Sequence, residues 1–289
     1  MNAREILNEL RQILDELSPH TWEDADLIAF VNAELQGPVA AQLQKLQPSS
    51  LWRSFNLDFS TGSDLGDART IAYPENLIAP VQVEDIQNPE SPRLLDHVMM
   101  QDRSQVGELS WFTVQERIGL APKSAIPSGQ KIRVWGVYLP PRVTLGKVDQ
   151  AETSGSTSLV LAEDSPQLER SDDALNGARI EITTGAARGV RRTIVDHVGI
   201  TRTITVDAPW GVAITTDDEF ALIPSMPKVH HEVLVYGAAI RAAINEGNLK
   251  LQAAVRVDHR RLFDLFLSSI HMAREARPAR VRRVREAWA

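Results

Sequence analysis

The sequence predicts an α+β chain: a helical bundle built from the N- and C-terminal segments, with a large inserted antiparallel β region. Three observations predict it. Apolar residues recur at helical spacing near both ends of the chain. Between them, prolines and glycines concentrate and short runs of aromatic and β-branched residues take over. Two sets of terminal helices bury their apolar stripes most simply against each other, which leaves the β-rich middle as an excursion from them. The expected organisation is 1–48 plus 226–289 as the bundle with a basic C-terminal arm, 49–150 as an inserted β-rich region, and 151–225 as an antiparallel β-meander.

The first helix is read from Ile6, Leu10, Ile13, Leu14 and Leu17, a single apolar stripe that Ser18-Pro19 breaks. Thr21 with Asp24 resembles a capping box and opens a second helix carrying Leu27, Ile28, Val31 and Leu35. Gly37-Pro38 kinks or ends it, and Val39, Leu43 and Leu46 resume helical spacing before Pro48. In the middle, 108–115 and 131–138 are expected strands bounded by turn formers such as Pro122, Pro127-Ser128-Gly129 and Pro140-Pro141. Residues 60–105 suggest long loops with short strands. From Ala178 onward, 179–183, 191–195, 203–206 and 219–223 alternate as four short strands of one meander. Pro227 suits the first turn of a helix carrying Val229, Val233, Tyr236, Ile240 and Ile244. Its flank of Ala238, Ala239, Ala242 and Ala243 is thin enough for a neighbouring helix to come close. Gly247 is a C-cap, and a longer helix follows with Leu251, Val255, Leu262, Leu265, Phe266 and Ile270 as its buried side.

A chain of 289 residues is long enough to fold around its own core without a staple. It contains no cysteine, which excludes disulfides, a thiol nucleophile and thiolate-held zinc or iron–sulfur sites. No apolar run nears the roughly 20 residues that span a bilayer, and the start lacks a signal-peptide layout, so no membrane partner and a cytoplasmic site of synthesis are expected. The net charge of −7 is uneven: the last sixteen residues set six arginines against two glutamates, leaving −11 on the other 273. An acidic body does not grip duplex DNA, whose affinity comes from neutralised phosphates.

Few residues suggest chemistry. His230-His231-Glu232 invites a metal reading, but adjacent helical residues point about 100° apart and cannot share one ion. A solvated helix start is the better account, and Asp258-His259 reads as an exposed polar turn. No Gly-x-Ser-x-Gly elbow occurs. Residues 185–189 (Gly-Ala-Ala-Arg-Gly) have the wrong spacing for a phosphate loop and lie between strands. Trp111, Phe112, Trp135 and Tyr138 are simplest as β core, although exposed rings there would make a stacking platform. No catalytic residue, metal or cofactor is expected. The feature that solubility does not explain is the arm: Arg274, Arg277, Arg280, Arg282, Arg283 and Arg285, followed by Trp288. Arginine suits bidentate ion pairs at protein interfaces, and Trp288 offers an apolar anchor.

Taken in order, several segments resemble tailed-bacteriophage head-to-tail adaptor (connector) proteins. Asp15-Glu16-Leu17, then Trp22-Glu23-Asp24-Ala25-Asp26-Leu27-Ile28 running to Asn32-Ala33-Glu34, resembles the opening helix, Trp-containing turn and second helix of that family. The strand 132–139 with its Pro140-Pro141-Arg142-Val143-Thr144 exit is similar to the family's central strand. Phe220 to Pro224 leading through Pro227 to His231-Glu232 and Gly237-Ala238-Ala239 is similar to the transition into its C-terminal helices. The stretch 182–210 resembles a β element of phage neck and tail proteins.

The resemblance implies a non-enzymatic structural protein of the virion neck, assembled in the bacterial host cytoplasm. It would form a ring, commonly of twelve subunits, beneath the portal, and would join capsid to tail while extending the DNA channel. Its partners would be the portal protein, tail proteins (nozzle, hub or tail-completion), other copies of itself, and packaged double-stranded DNA passing without sequence-specific binding. An acidic wall suits such a channel because it repels phosphates. The arginine arm would hold the portal. Two alternatives stand beside this: a tail-associated carbohydrate- or receptor-binding protein, and a nucleic-acid-binding assembly factor acting through the arm.

Overall fold

Asn2 begins the first helix with a reciprocal cap: its side chain accepts the Glu5 N–H at 2.9 Å, and Glu5 accepts the Asn2 N–H at 3.0 Å. In the computed structural model, which describes residues 1–15, 21–46, 51–73 and 76–275, this helix is α1 (Ala3–Ile13). Leu17, the Ser18-Pro19 break and Pro48 lie outside the described residues. α2 (Asp24–Glu34) starts later than Thr21 suggested; Asp26 accepts the Glu23 N–H at 3.3 Å. Of the two expectations for Gly37-Pro38, that it kinks or ends the helix, the second does not hold. Residues Leu35–Val39 form a π-helical turn with Pro38 inside, and the chain runs on into α3 (Ala40–Leu46). The wider turn absorbs the missing proline N–H and the ring's steric demand.

Strands follow in chain order: β1 (Trp52–Asp58), β2 (Ser63–Leu65), β3 (Ala68–Ala72), β4 (Leu77–Asp85), β5 (Arg93–Leu94), β6 (Asp96–His97), β7 (Ser110–Val114), β8 (Arg117–Ala121) and β9 (Lys131–Tyr138). Then come β10 (Leu145–Lys147), β11 (Ser158–Val160), β12 (Arg179–Ile182), β13 (Arg191–Val198), β14 (Thr203–Val206) and β15 (Glu219–Ile223), before α4 (His231–Asn245) and α5 (Leu249–Glu275). The chain divides into two compact units: Met1–Ser50 with Pro140–Arg170 and Leu175–Ala289, and Leu51–Leu139 with Ser171–Ala174. No helix among the described residues is long and apolar enough to cross a membrane.

The expected helical bundle with an inserted sheet is overturned. The fold is α+β, but most of its elements are strands in three sheets. A six-stranded sheet, β10-β15-β12-β13-β14-β11, belongs to the same unit as the five α-helices of the described residues. The physical reason lies in β12 and β15, which are buried at consecutive rather than alternate positions. A strand buried on both faces needs cover on both. Ile180, Ile182, Phe220 and Leu222 join the sheet's own core cluster, while the opposite side of β15 receives α1, with Arg4 paired to Glu219 at 2.7 Å. α1 therefore covers one face of a sheet, and the helices, though they pack on α4, are not a bundle from which the sheet is an excursion.

The meander is also corrected. β12, β13 and β14 pair consecutively and antiparallel, but β15 returns to the far side of β12 instead of extending from β14. The second unit holds a four-stranded sheet, β1-β9-β4-β5, and a five-stranded one, β2-β3-β8-β7-β6, in which β6 runs parallel to β7. β4, nine residues long, falls where long loops were expected. Pro80 hid it: a proline cannot donate to the ladder, and here it sits where the β4–β9 register shifts.

Candidate interaction site on the two C-terminal helices

α4 is the helix against which the others pack. Its Val233, Leu234, Val235, Ala238, Ala239, Ala242 and Ala243 are buried, and α1, α2 and α5 all contact it. The alanines do what their size predicts. Gly237 extends this to the limit: a Cβ there would lie 2.4 Å from the Glu34 Cγ of α2. Glu34 is 4% exposed. Its carboxylate faces Arg241 Nη2 at 3.5 Å and His259 Nε2 of α5 at 3.2 Å. A buried carboxylate persists only when paired, so this triad pins three helices in one register. His259 was expected in an exposed polar turn, and that is corrected. The signal was available, because Gly237 inside an alanine-lined helix marks a close approach.

The His230-His231 pair is likewise not a solvated helix start. His231 is fully buried; its Nε2 lies 3.0 Å from the Met226 carbonyl and its Nδ1 2.9 Å from the Met1 amino nitrogen. A carbonyl only accepts, so Nε2 carries the proton and Nδ1 accepts from the amine. Burial pushes the ring below its usual 6.5, which keeps it neutral for this role. His230 is also buried and pushed down by desolvation; its Nε2 meets Ser269 Oγ of α5 at 2.7 Å. Among the described residues no group of three or more His, Asp or Glu converges to hold a metal.

Polar side chains of α2 fix the double-proline exit. Asn32 donates to the Val143 carbonyl at 2.9 Å and accepts the Val143 N–H at 2.8 Å. Gln36 donates to the Pro140 carbonyl at 3.0 Å. Trp22 Nε1 donates to Glu246, just beyond α4, at 2.7 Å. Trp22, Asn32, Pro140 and Val143 are positions that carry the family resemblance, and they come from two separate stretches of chain; Gln36 and Glu246 lie outside them.

α5 differs in having a face that no described residue covers. Val229 and Leu265, both expected in the core, are 75% and 58% exposed, and Val257 is 72% exposed. Val229, His230, Val233, Leu262 and Leu265 line a groove of about 220 Å³ between α4 and α5. Leu265 is shared with a second, more open concavity of about 410 Å³ beside Val257, Arg260 and Arg261. The helix backbone continues through Arg274, but that side chain, and all of Arg277, Arg280, Arg282, Arg283, Arg285 and Trp288, lie outside the described residues. The expected arm thus begins where this uncovered face ends in sequence.

Of the aromatic residues, Trp111, Phe112 and Tyr138 are buried and Trp135 is half-buried. The loop 185–189 joins β12 to β13. No protein-family model matches the chain, and no curated protein matches it.

Proposed function

We propose that this chain is a structural head-to-tail adaptor of a tailed bacteriophage: a ring component beneath the portal that joins capsid to tail and extends the DNA channel. One observation carries the reading. The segments that resemble the adaptor family, Trp22 to Glu34, Pro140 to Thr144 and His231 to Ala239, are distant in sequence yet meet: Asn32 bonds both backbone groups of Val143, and Glu34 lies so close to Gly237 that a Cβ there would stand 2.4 Å from its Cγ, while Gln36 and Glu246, just outside these segments, bond Pro140 and Trp22. Residues that look like scattered motifs act as one structural unit. The role needs rigid packing and surfaces for partners, and calls for no reacting group. The partners are the portal protein, tail proteins, other copies of the chain and the DNA that passes through. The arm, Arg274 to Trp288, binds the portal, supported by α5 immediately before it. Ring geometry multiplies weak single contacts into firm attachment.

The test mixes the purified full chain with rings of its cognate portal protein and images the mixture by negative stain. Extra density at one end of the portal is expected. Deleting residues 274–289 should abolish attachment without altering the far-ultraviolet circular dichroism beyond the loss of that segment. Failure of the full chain to attach overturns the reading. Salt-sensitive DNA binding that disappears with the same deletion, without portal attachment, would replace it with a nucleic-acid-binding factor.

A further inference from the structure

Side chains alternate between the two faces of a strand, so the register of β1, β9 and β4 fixes which residues share a face. Phe55, Leu57, Val83, Ile132 and Val134 turn into the core of the second unit. The residues between them form rows across the other face. Ser54, Trp135 and Gln82 make one row, and Asn56, Arg133 and Glu84 make the next. Trp52 stands opposite buried Val137 and diagonally from Trp135, a separation that aromatic side chains can bridge. Trp52 is 49% exposed and Trp135 is half-buried. The polar groups are already connected: Arg133 donates to Asn56 at 3.5 Å and pairs with Glu84 at 3.7 Å, and Gln82 donates to Glu84 at 3.0 Å. These bonds orient the polar groups before anything binds, which lowers the cost of binding.

We propose that this face binds a neutral oligosaccharide, whose pyranose rings stack on Trp52 and Trp135 while their hydroxyls bond to Asn56, Gln82, Glu84 and Arg133. A pyranose has C–H bonds on its flat sides and hydroxyls round its rim. The electron-rich face of an indole attracts polarised C–H bonds. A hydroxyl both donates and accepts, so groups of both kinds set side by side match it: amides at Asn56 and Gln82, an acceptor at Glu84 and a donor at Arg133. The charges decide the ligand class. Arg133 is paired with Glu84, and Lys131 stands directly opposite Asp58 on the same face, so each cation has a carboxylate beside it. A nucleic-acid strand would find the same rings, but its phosphates need cations that are not already neutralised. A neutral sugar needs none. The site goes beyond the adaptor reading and does not rest on it.

The test presents the full chain to an immobilised panel of neutral, sialylated and sulfated glycans and to oligodeoxythymidine. Retention of a neutral glycan in preference to the charged probes is expected, with tryptophan fluorescence shifting saturably as that glycan is titrated. Trp52→Ala and Trp135→Leu should each weaken binding at least about fivefold, whereas Trp135→Phe, which keeps an aromatic face, should hold it within about threefold. Urea unfolding of each variant accompanies the titration; if Trp135→Leu does not fold, Trp52→Ala, at a half-exposed position, decides. Retention of no glycan overturns the proposal. So does equal binding by Trp52→Ala and the unaltered chain. Salt-sensitive retention of oligodeoxythymidine alone would replace it with a single-stranded nucleic-acid site. Loss of portal attachment in Trp52→Ala, with no glycan bound by the unaltered chain, would make the face a protein contact instead. If the unaltered chain binds glycan but does not attach to portal, the adaptor reading falls and this site stands.

Discussion

α4 and α5 are consecutive helices in one unit, and they spend their apolar side chains differently. α4 is enclosed: α1, α2 and α5 contact it, its alanines are buried, and Gly237 lets Glu34 lie against its backbone. α5 buries Val255, Phe266 and Ile270 on one side and exposes Leu249, Val257 and Leu265 on the other. The first pattern is that of a core element, where every atom has a neighbour and each change of volume is felt. The second is that of an element only half engaged within its own chain. The difference teaches where stability resides and where partners are to be sought.

Substitutions on the two helices test that contrast. Phe266→Ala removes the largest side chain by which α5 holds the body, and should cost about 4 kcal/mol in urea unfolding. A value near zero would mean that α5 is not anchored where it packs. Gly237→Val drives a side chain into Glu34 and separates a buried carboxylate from Arg241 and His259, at about 3 kcal/mol. The same measurement on Asn32→Ala, which strands the buried N–H and carbonyl of Val143, should give about 2 kcal/mol.

Acidity should weaken the α4 start selectively. Unfolded, His230 and His231 titrate near 6.5, and burial holds both below that in the fold. The unfolded chain then binds more protons, so the stability present above pH 6.5 is lost as pH falls from there toward the folded values. Thermal unfolding between pH 8 and pH 5.5 should show a falling Tm, with a shallower fall in His231→Gln. An equal slope in that variant would assign the loss to other groups. The smallest effect is expected on the uncovered face: Val257→Ser should change unfolding by less than about 0.5 kcal/mol. A larger cost would show that this face is covered within the chain after all.

Local chemistry was legible wherever it was strong. The strand 131–138 matches β9, the turn at 185–189 joins β12 to β13, and Gly247, with φ of +70°, follows the end of α4 as a C-cap glycine should. Pro38 marked an irregularity that read as either a kink or an end, and only the neighbouring turns could show that they widen into a π-helix around it. Pro80 concealed β4 for a related reason, since its unpaired position is visible only beside β9. His259 read as part of an exposed polar turn because histidines among charged residues usually are. Its partner Glu34 is buried because Gly237, 203 residues away in sequence, lets it lie against α4.

By itself the sequence determined the helices at both ends, the β character of the middle, the alanine flank of α4 and the arginine-rich terminus, because period, turn chemistry and charge are local properties of the chain. Only the tertiary structure decided that α1 packs on a sheet, that β15 crosses back to β12, and that Val229 and Leu265 face outward. Each of those depends on which apolar surface finds another, and hydrophobic attraction has no direction of its own until the whole chain has competed for it.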